Sequence, residues 1–266
     1  FGKSRKAQNY FLIVTSYFFY GSWDVRFLIL IVFSTLLDFI LGLKMEGARN
    51  VKQRKLFLIL SLVANLGLLG FFKYFNFFVE SFASTFTFFG YEFEGLIIDV
   101  LLPVGISFYT FQTLSYALDV FKGNIKVTKD IGEFAAFVSF FPQLVAGPIE
   151  RASDFLPQFQ QKRSFNYPKS VDGMRQILWG FLKKVLIADN AASIANDIFS
   201  NYDTSGGPLL FVGAIFFAFQ IYGDFSGYSD IAIGTSRLFG FELKMNFNYP
   251  YFSENIAEFW KRWHIS

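Results

Sequence analysis

Residues 27–43 read FLILIVFSTLLDFILGL, an apolar run with Asp38 as its single charged side chain. A helix that crosses a bilayer needs about 20 predominantly apolar residues, and a run of this length is too long for an ordinary strand. Further apolar runs occur at residues 10–20, 56–72, 97–121, 131–145, 209–221 and 222–239. The repeated pattern predicts several helices within a membrane.

The overall composition favours the same class of protein. Of the 266 residues, 53% are hydrophobic and 21% aromatic, but only 17% are charged, whereas soluble globular proteins carry about 25% charged residues. The chain has 40 phenylalanines, more than a soluble core of this size can bury. We therefore predict an all-α, polytopic integral membrane bundle rather than a very apolar soluble enzyme.

Charge and cysteine content exclude several other functions. The net charge is +3, and the basic residues lie between apolar runs rather than on one face, which argues against nucleic-acid binding. The chain has no cysteine, so a disulfide framework, a cysteine-based zinc site and a cysteine acyl-enzyme are excluded. We predict no metal site.

Several runs are shorter than a full span or are interrupted, for example by Pro103, Gly105 and Pro142. Irregular backbone at membrane depth persists only where protein or a water-filled cavity surrounds it. We therefore predict one membrane domain over residues 1–266 that includes re-entrant and interfacial helices. The chain starts without methionine and stops within a strongly patterned segment, so we expect both ends to be truncated.

Three polar segments give the predicted topology. Residues 44–55 form a basic loop that the positive-inside rule places in the cytoplasm. Residues 150–169 contain two prolines and no long apolar run, which predicts an interfacial segment. Residues 171–195 form an amphipathic helix with Lys183 and Lys184 in its middle, and the pattern alone favours lysines that snorkel towards water.

Residues 222–230 carry the densest set of polar side chains inside an apolar run. On a helix, Asp224 and Tyr228 share one face, and Ser226 and Asp230 share a neighbouring face. Glycines at 223 and 227 form a small-xxx-small surface for close helix packing. The pattern fits a tight helix contact or the polar wall of a tunnel, and it does not separate the two.

Residues 253–264 predict a last helix, with Ser253 as its N-cap and Glu254 in its first turn. Glu258 and Arg262 stand four residues apart, in the order that favours an ion pair.

The same helix would place Trp260, Trp263 and His264 on one face. His264 is the single histidine of the chain. Lys261 and Arg262 could hold a phosphate-bearing ligand. The alternative is an interfacial anchor, because tryptophan and basic residues favour the bilayer boundary.

Five segments together resemble the membrane-bound O-acyltransferase family, most closely its branch of alginate O-acetyltransferase membrane subunits. The segments are PVGISFYTFQ at 103–112, PQLVAGP at 142–148, GFLKKVLIAD at 180–189, DFSGYSD at 224–230, and NYPY at 248–251 leading into FWKRWH at 259–264. They occur in the order found in the family and cover nearly the whole chain.

The resemblance implies a multi-helix bacterial plasma-membrane protein with a tunnel through it. Such enzymes transfer an acyl group from a thioester donor, here acetyl-CoA or an acyl carrier, without a bound cofactor. The implied acceptor is a hydroxyl of an extracytoplasmic polysaccharide such as alginate or another exopolysaccharide, reached through a periplasmic or extracellular partner acetyltransferase. The implied function is therefore polysaccharide O-acetylation.

The resemblance also implies the site residues. His264 matches the weaker of two conserved polar positions, and the principal histidine of the family is expected in a Trp-His-Gly motif beyond Ser266. We therefore expect this 266-residue piece to be inactive alone. The candidates for donor binding or for the tunnel wall are Asp224, Ser226, Tyr228, Asp230, Trp260, Lys261, Arg262 and Trp263.

Three other functions stay open, one of which is a structural scaffold for periplasmic partners. A related branch of the family transfers D-alanine to teichoic acid from a carrier-protein thioester. A transporter or flippase would move an acylated intermediate without catalysis, and Asp38, Asp99 and Asp224 could form its proton path.

Overall fold

The structure is a computed structural model that describes residues 4–88, 101–145 and 147–266. Helices are the only regular secondary structure in these residues, which confirms the predicted all-α class. Asp99 of the suggested proton path and Ala146 of the 142–148 motif lie outside the described residues.

Eleven α-helices are found in the described part of the chain. They are α1 (Arg5–Gly21), α2 (Leu28–Glu46), α3 (Val51–Phe88), α4 (Ile106–Lys122), α5 (Ile131–Val138), α6 (Phe141–Leu144), α7 (Ala152–Phe159), α8 (Tyr167–Phe181), α9 (Asp189–Ser200), α10 (Gly207–Leu238) and α11 (Ile256–Arg262). A π-helical segment, Leu182–Ala188, joins α8 directly to α9, and short 3-10 helices cover Val25–Phe27 and Pro250–Phe252.

Three helical stretches are long and apolar enough to cross a membrane: Val25–Glu46, Val51–Phe88 and Gly207–Leu238. They confirm the prediction of a polytopic membrane protein. The third stretch joins the runs 209–221 and 222–239, which the sequence suggested as two segments. The glycines near their junction do not break the helix, because they pack against neighbouring helices.

The described residues group into two compact units. We call Asn9–Phe141 with Arg151–Gln160 the N-terminal unit, and Phe1–Gln8 with Pro142–Glu150 and Gln161–Ser266 the C-terminal unit. The prediction of a single membrane domain stays a prediction.

In the N-terminal unit, α2, α3 and α4 pack against one another. Asp38 of α2 is buried and accepts hydrogen bonds from Ser61 Oγ at 2.5 Å and Asn65 Nδ2 at 2.8 Å, both on α3. Ser34 Oγ donates to Asn65 Oδ1 at 2.7 Å. The charged residue in the apolar run thus lies between helices, where neighbouring donors satisfy it.

This unit contains the predicted break in the run 97–121 and part of the predicted interfacial segment 150–169. The chain is not helical at residues 101–105, and α4 starts after Gly105, whose φ is 75°, so the predicted break is confirmed. The segment 150–169 includes α7, whose Phe155 and Phe159 are fully buried among other phenylalanine rings. That helix is therefore a core element of its unit, and its position relative to a bilayer stays a prediction.

The predicted basic loop is shorter than residues 44–55. Only residues 47–50 lie outside helices, because α2 continues to Glu46 and α3 starts at Val51. The cytoplasmic location of this turn stays a prediction.

In the C-terminal unit, α8, the π-helical segment and α9 pack along α10. Their glycines meet backbone to backbone: a Cβ at Gly180 would lie 2.6 Å from the carbonyl oxygen of Gly227, and one at Gly234 would lie 2.5 Å from that of Gly173. This contact confirms the small-residue packing surface predicted for α10. It brings the polar side chains of α8 and α10 within reach of each other.

Candidate functional site

A cavity of about 600 Å³ opens in the C-terminal unit between α8, the π-helical segment, α10 and residues 245–252. One part of its wall is aromatic and is formed by Trp179, Phe219, Tyr222, Phe247, Tyr249, Tyr251 and Phe252. The polar part is formed by Gln176, Lys183, Ser226, Ser229, Asp230 and Asn246. An apolar cavity with a few convergent polar groups is the usual form of a small-molecule site.

The polar wall centres on an ion pair between Lys183 Nζ and one carboxylate oxygen of Asp230. The other oxygen accepts a hydrogen bond from Gln176 Nε2 at 3.0 Å. The two side chains of the ion pair are only 11% and 17% exposed, so the favoured interpretation of Lys183 as a snorkelling lysine is wrong. Its amine turns inward because Asp230 provides a partner that offsets the cost of burial.

Lys184 lies next to Lys183 but contacts a different part of α10. Its Nζ pairs with Asp189 at 2.7 Å and Asp224 at 2.6 Å, and it lies 5.5 Å from the ring centre of Tyr228. Because Asp189 and Asp224 are themselves about half exposed, the snorkelling interpretation of Lys184 stays a prediction. Asp224 and Tyr228 share a helix face as predicted, but that face meets Lys184, and neither residue lines the cavity.

The backbone at the two lysines is unusual. Both lie in the π-helical segment Leu182–Ala188, a geometry that is rare in proteins and frequent at functional sites. Gly223 of α10 lies against it, since a Cβ there would be 3.1 Å from the carbonyl oxygen of Lys183. The segment thus directs two adjacent lysines to two acids that are six residues apart on α10.

A line of polar contacts extends from the cavity along the α8–α10 interface. Arg237 donates to Gln176 Oε1 at 2.7 Å and pairs with Asp172. Arg237 Nε also lies 3.5 Å from Glu242, whose carboxylate pairs with Lys169 at 2.8 Å. Both polar atoms of the Gln176 amide therefore have a partner: Nε2 donates to Asp230, and Oε1 accepts from Arg237.

The last helix differs from its prediction at both ends. α11 starts at Ile256 with Asn255 as its N-cap, not Ser253, whose hydroxyl donates to the Pro250 carbonyl instead. It ends at Arg262, and His264 has a left-handed backbone with φ of 49°. The prediction that His264 shares a helical face with the two tryptophans is therefore wrong.

Main-chain hydrogen bonds between residues 262–265 and residues 246–248 replace helical hydrogen bonds at the end of α11. The N–H of Asn248 donates to the Arg262 carbonyl at 2.9 Å, and the N–H of Ile265 donates to the Asn246 carbonyl at 2.9 Å. The Asn246 side chain, in a residue only 1% exposed, accepts from Ser266 N at 3.2 Å and Ser266 Oγ at 2.9 Å. These bonds bracket His264, whose ring centre lies 5.0 Å from that of Phe225.

Trp263 joins this segment to the cavity wall. Its ring centre lies 5.1 Å from that of Phe247, 6.0 Å from that of Tyr222 and 6.2 Å from that of Tyr251, all three of which line the cavity. Trp263 therefore packs against the aromatic wall without lining the cavity itself. In the described residues, Tyr249 and His264 are the non-glycine residues with positive φ, and such strained backbone is concentrated at functional sites.

The predicted ion pair of α11 is confirmed. Arg262 donates to Glu258 at 2.5 Å, and the Glu254 N–H donates to the same carboxylate at 2.9 Å. The Glu254 N–H, and then the Arg262 charge, hold the pKa of Glu258 below its usual value. Trp260 and Lys261 are exposed.

The structure therefore brings only part of the predicted site together. Ser226 and Asp230 line the cavity and Trp263 supports its wall, while the assigned roles of all the predicted residues stay predictions. Gln176, Lys183 and Asn246 also belong to the wall, and the sequence pattern did not predict them as site residues. No group of three or more histidine, aspartate and glutamate side chains in the described residues could hold a metal ion.

Residues 124–266, more than half of the chain, match the family described as MBOAT, membrane-bound O-acyltransferase. The chain belongs to this family. The resemblance drawn from the five sequence segments is thereby confirmed, and the cavity and the His264 segment both lie within the matched region.

Curated relatives give a more detailed comparison. The chain is 43% identical over 264 residues to a probable alginate O-acetylase of Pseudomonas aeruginosa, covering 98% of this chain and 50% of the relative. It is 36% identical to a peptidoglycan O-acetyltransferase of Helicobacter pylori, covering 100% and 54%. It is 31% identical to a teichoic acid D-alanyltransferase of Bacillus subtilis, covering 61% and 42%. The chain thus spans about half the length of these relatives.

Proposed function

We propose that the protein is a membrane O-acyltransferase that moves an acetyl group from a cytoplasmic thioester donor towards a hydroxyl of an extracytoplasmic polysaccharide. The observation that carries this proposal is the 43% identity to a probable alginate O-acetylase over 98% of the chain. The cavity next to the His264 segment supplies a place for the reaction.

The chemistry requires a base and a group that stabilises negative charge. A sugar hydroxyl is a weak nucleophile near neutral pH, so a base removes its proton as the oxygen attacks the thioester carbonyl. The carbonyl oxygen gains negative charge as the new C–O bond forms. When the carbonyl re-forms, the C–S bond breaks, and the protonated base returns the proton to the leaving sulfur, so that an ester and a free thiol are the products. We assign charge stabilisation or donor positioning to His264, and we assign the base to the principal histidine of the family, expected outside these 266 residues.

The other predicted residues receive supporting roles in this proposal. Lys261 and Arg262 face the phosphates of the donor at the cytoplasmic end. We assign the acyl path to Ser226, Asp230 and Lys183, and this is supported by the position of all three in the cavity wall. The donor is acetyl-CoA or an acyl carrier, and a periplasmic or extracellular partner acetyltransferase completes delivery from the bacterial plasma membrane.

Transfer of D-alanine to teichoic acid is the second candidate. It is supported by the 31% identity to a teichoic acid D-alanyltransferase, but that similarity covers only 61% of this chain. The more extensive similarity to O-acetylases favours acetyl as the transferred group. A flippase for an acylated intermediate is the third candidate.

The test is an assay of the full-length protein in vesicles that also contain its partner acetyltransferase, with radiolabelled acetyl-CoA and a panel of alginate, cellulose and peptidoglycan acceptors. The proposal predicts that label becomes covalently attached to one polysaccharide. Label that enters only with a D-alanyl carrier donor would support the second candidate. Label that crosses the vesicle membrane without forming an ester would support the flippase and contradict the proposal.

A further inference from the structure

A basic recess lies at the turn between α2 and α3 and has no role in the proposed transfer. The turn comprises residues 47–50, and the two helices pack against each other. A shallow recess of about 470 Å³ at this turn is lined by Lys44, Gly47, Arg49, Gln53 and Phe57. Because both helices are candidate membrane spans, the recess lies where a hairpin of spans reaches the bilayer surface.

The cations at this turn have few partners in the protein. Lys44, Arg49, Lys52 and Lys55 are exposed, and none of them forms an ion pair with another residue that the structure describes. The single acid of the segment, Glu46, lies 3.9 Å from Lys129 instead. The turn therefore presents several uncompensated positive charges in one place.

A neighbouring arginine shows the contrast. Arg54 donates to the carbonyl of Val120 at 2.5 Å, and its guanidinium lies 5.9 Å from the ring centre of Phe121. It holds the start of α3 against α4. Lys44 Nζ lies 6.0 Å from the ring centre of Phe57, which is another residue of the recess wall. The side chains of Arg49, Lys52 and Lys55 form no ion pair or cation–π contact with the residues that the structure describes, so their charges remain available for a ligand.

An apolar surface continues from the recess along α3. Leu56, Ile59, Leu60 and Val63 are between 42% and 64% exposed, and they lie within the first four turns of this candidate span. The combined surface has a cationic end and an apolar face. Its complement is an amphiphile with an anionic head and extended hydrocarbon chains.

We propose that the recess binds the phosphate of an anionic glycerophospholipid, whose acyl chains lie along the exposed face of α3. Basic residues at the membrane surface attract anionic headgroups, and the local charge favours this lipid over a zwitterionic one. Gly47 leaves the recess open, since a Cβ there would meet only the Leu43 carbonyl oxygen, at 3.7 Å.

Native mass spectrometry of the full-length protein in neutral detergent tests this binding with phosphatidylglycerol, and with phosphatidylcholine of the same chains as the neutral arm. The wild-type protein is expected to retain phosphatidylglycerol selectively. The variant K44Q/R49Q/K52Q is expected to lose roughly 100-fold in affinity, about fivefold for each charge. The matched variant K6Q/K162Q/R175Q removes three other exposed charges and is expected to bind as the wild type does.

Two results would overturn the proposal. One is equal retention of phosphatidylglycerol by the K44Q/R49Q/K52Q variant and the wild type. The other is displacement of phosphatidylglycerol by acetyl-CoA at equal concentration, which would assign the recess to donor phosphates. A single symmetric gel-filtration peak for each variant establishes that the folded protein is being compared, since all six substituted side chains are exposed.

Discussion

At the scale of single residues, the pair of Lys183 and Asp230 is the strongest electrostatic feature of the cavity. Removing one partner of a buried pair leaves an uncompensated charge, which costs about 3–5 kcal/mol. We therefore expect K183M and D230L each to destabilise the protein strongly. We expect K183M/D230L to cost much less than the sum of the two single losses.

Unfolding of each variant in detergent gives the coupling energy of the pair. The control is Lys169 with Glu242, whose side chains are 56% and 50% exposed at a distance of 2.8 Å. Exposed pairs contribute only about 0–1 kcal/mol. Similar coupling energies for the two pairs would show that burial of Lys183 does not have the assigned importance.

Asn246 is the residue that we expect to hold His264 in place. The variant N246A removes the acceptor of Ser266 N and Ser266 Oγ, so the amide of Ser266 should exchange hydrogen faster. We expect kcat for acetyl transfer to fall about 10- to 100-fold with KM little changed, because misplacement of about 1 Å can cost that much.

The matched control for Asn246 is Asn248, which binds the same segment through its main-chain N–H. The variant N248A keeps that hydrogen bond and should keep wild-type exchange and activity. An equal loss of activity in N246A and N248A would contradict the assigned role of the Asn246 side chain.

At the scale of elements, the contact between α8 and α10 depends on glycine. A Cβ at Gly180 would lie 2.6 Å from a carbonyl oxygen of the other helix, and a Cβ at Gly227 would lie 2.8 Å from one. Relief of this overlap would require the backbone of a helix to shift, which costs free energy. We expect G180A and G227A to destabilise the protein by about 1–3 kcal/mol, as overpacking does. Thermal unfolding in detergent measures the loss.

Two glycines of α3 are the control for this prediction. A Cβ at Gly67 or Gly70 would meet nothing within 4 Å. Alanine is about 1 kcal/mol more favourable than glycine within a helix, so G67A and G70A should be neutral or stabilising. Destabilisation of the same size at all four positions would mean that helix contact is not the cause.

The elements also show how far the sequence could predict the fold. The apolar runs at residues 27–43 and 56–72 correctly predicted long helices that are apolar enough to cross a membrane, because long apolar runs are typical of such helices. The end of α11 was not predictable from local spacing, because hydrogen bonds to residues 246–248 determine it. The burial of the Lys183 side chain was also not predictable from the local sequence, because its partner Asp230 is on another helix, 47 positions later in the chain.

At the scale of the whole molecule, the two units bury polar groups between packed helices by different means. The N-terminal unit surrounds Asp38 with neutral donors from α3. The C-terminal unit joins charged pairs along α8 and α10 and keeps an open cavity among them. The first arrangement binds helices together, and the second also leaves room for a substrate, which is why we place the reaction there.

We have proposed that the protein transfers acetyl groups with the help of His264. The most direct test is the rate of acetyl transfer from a thioester donor by the full-length protein, compared with H264A at equal amounts of membrane-inserted protein. If His264 positions the donor or stabilises the developing charge, the rate should fall by about 100- to 1000-fold. An unchanged rate in H264A would show that His264 takes no part in acetyl transfer.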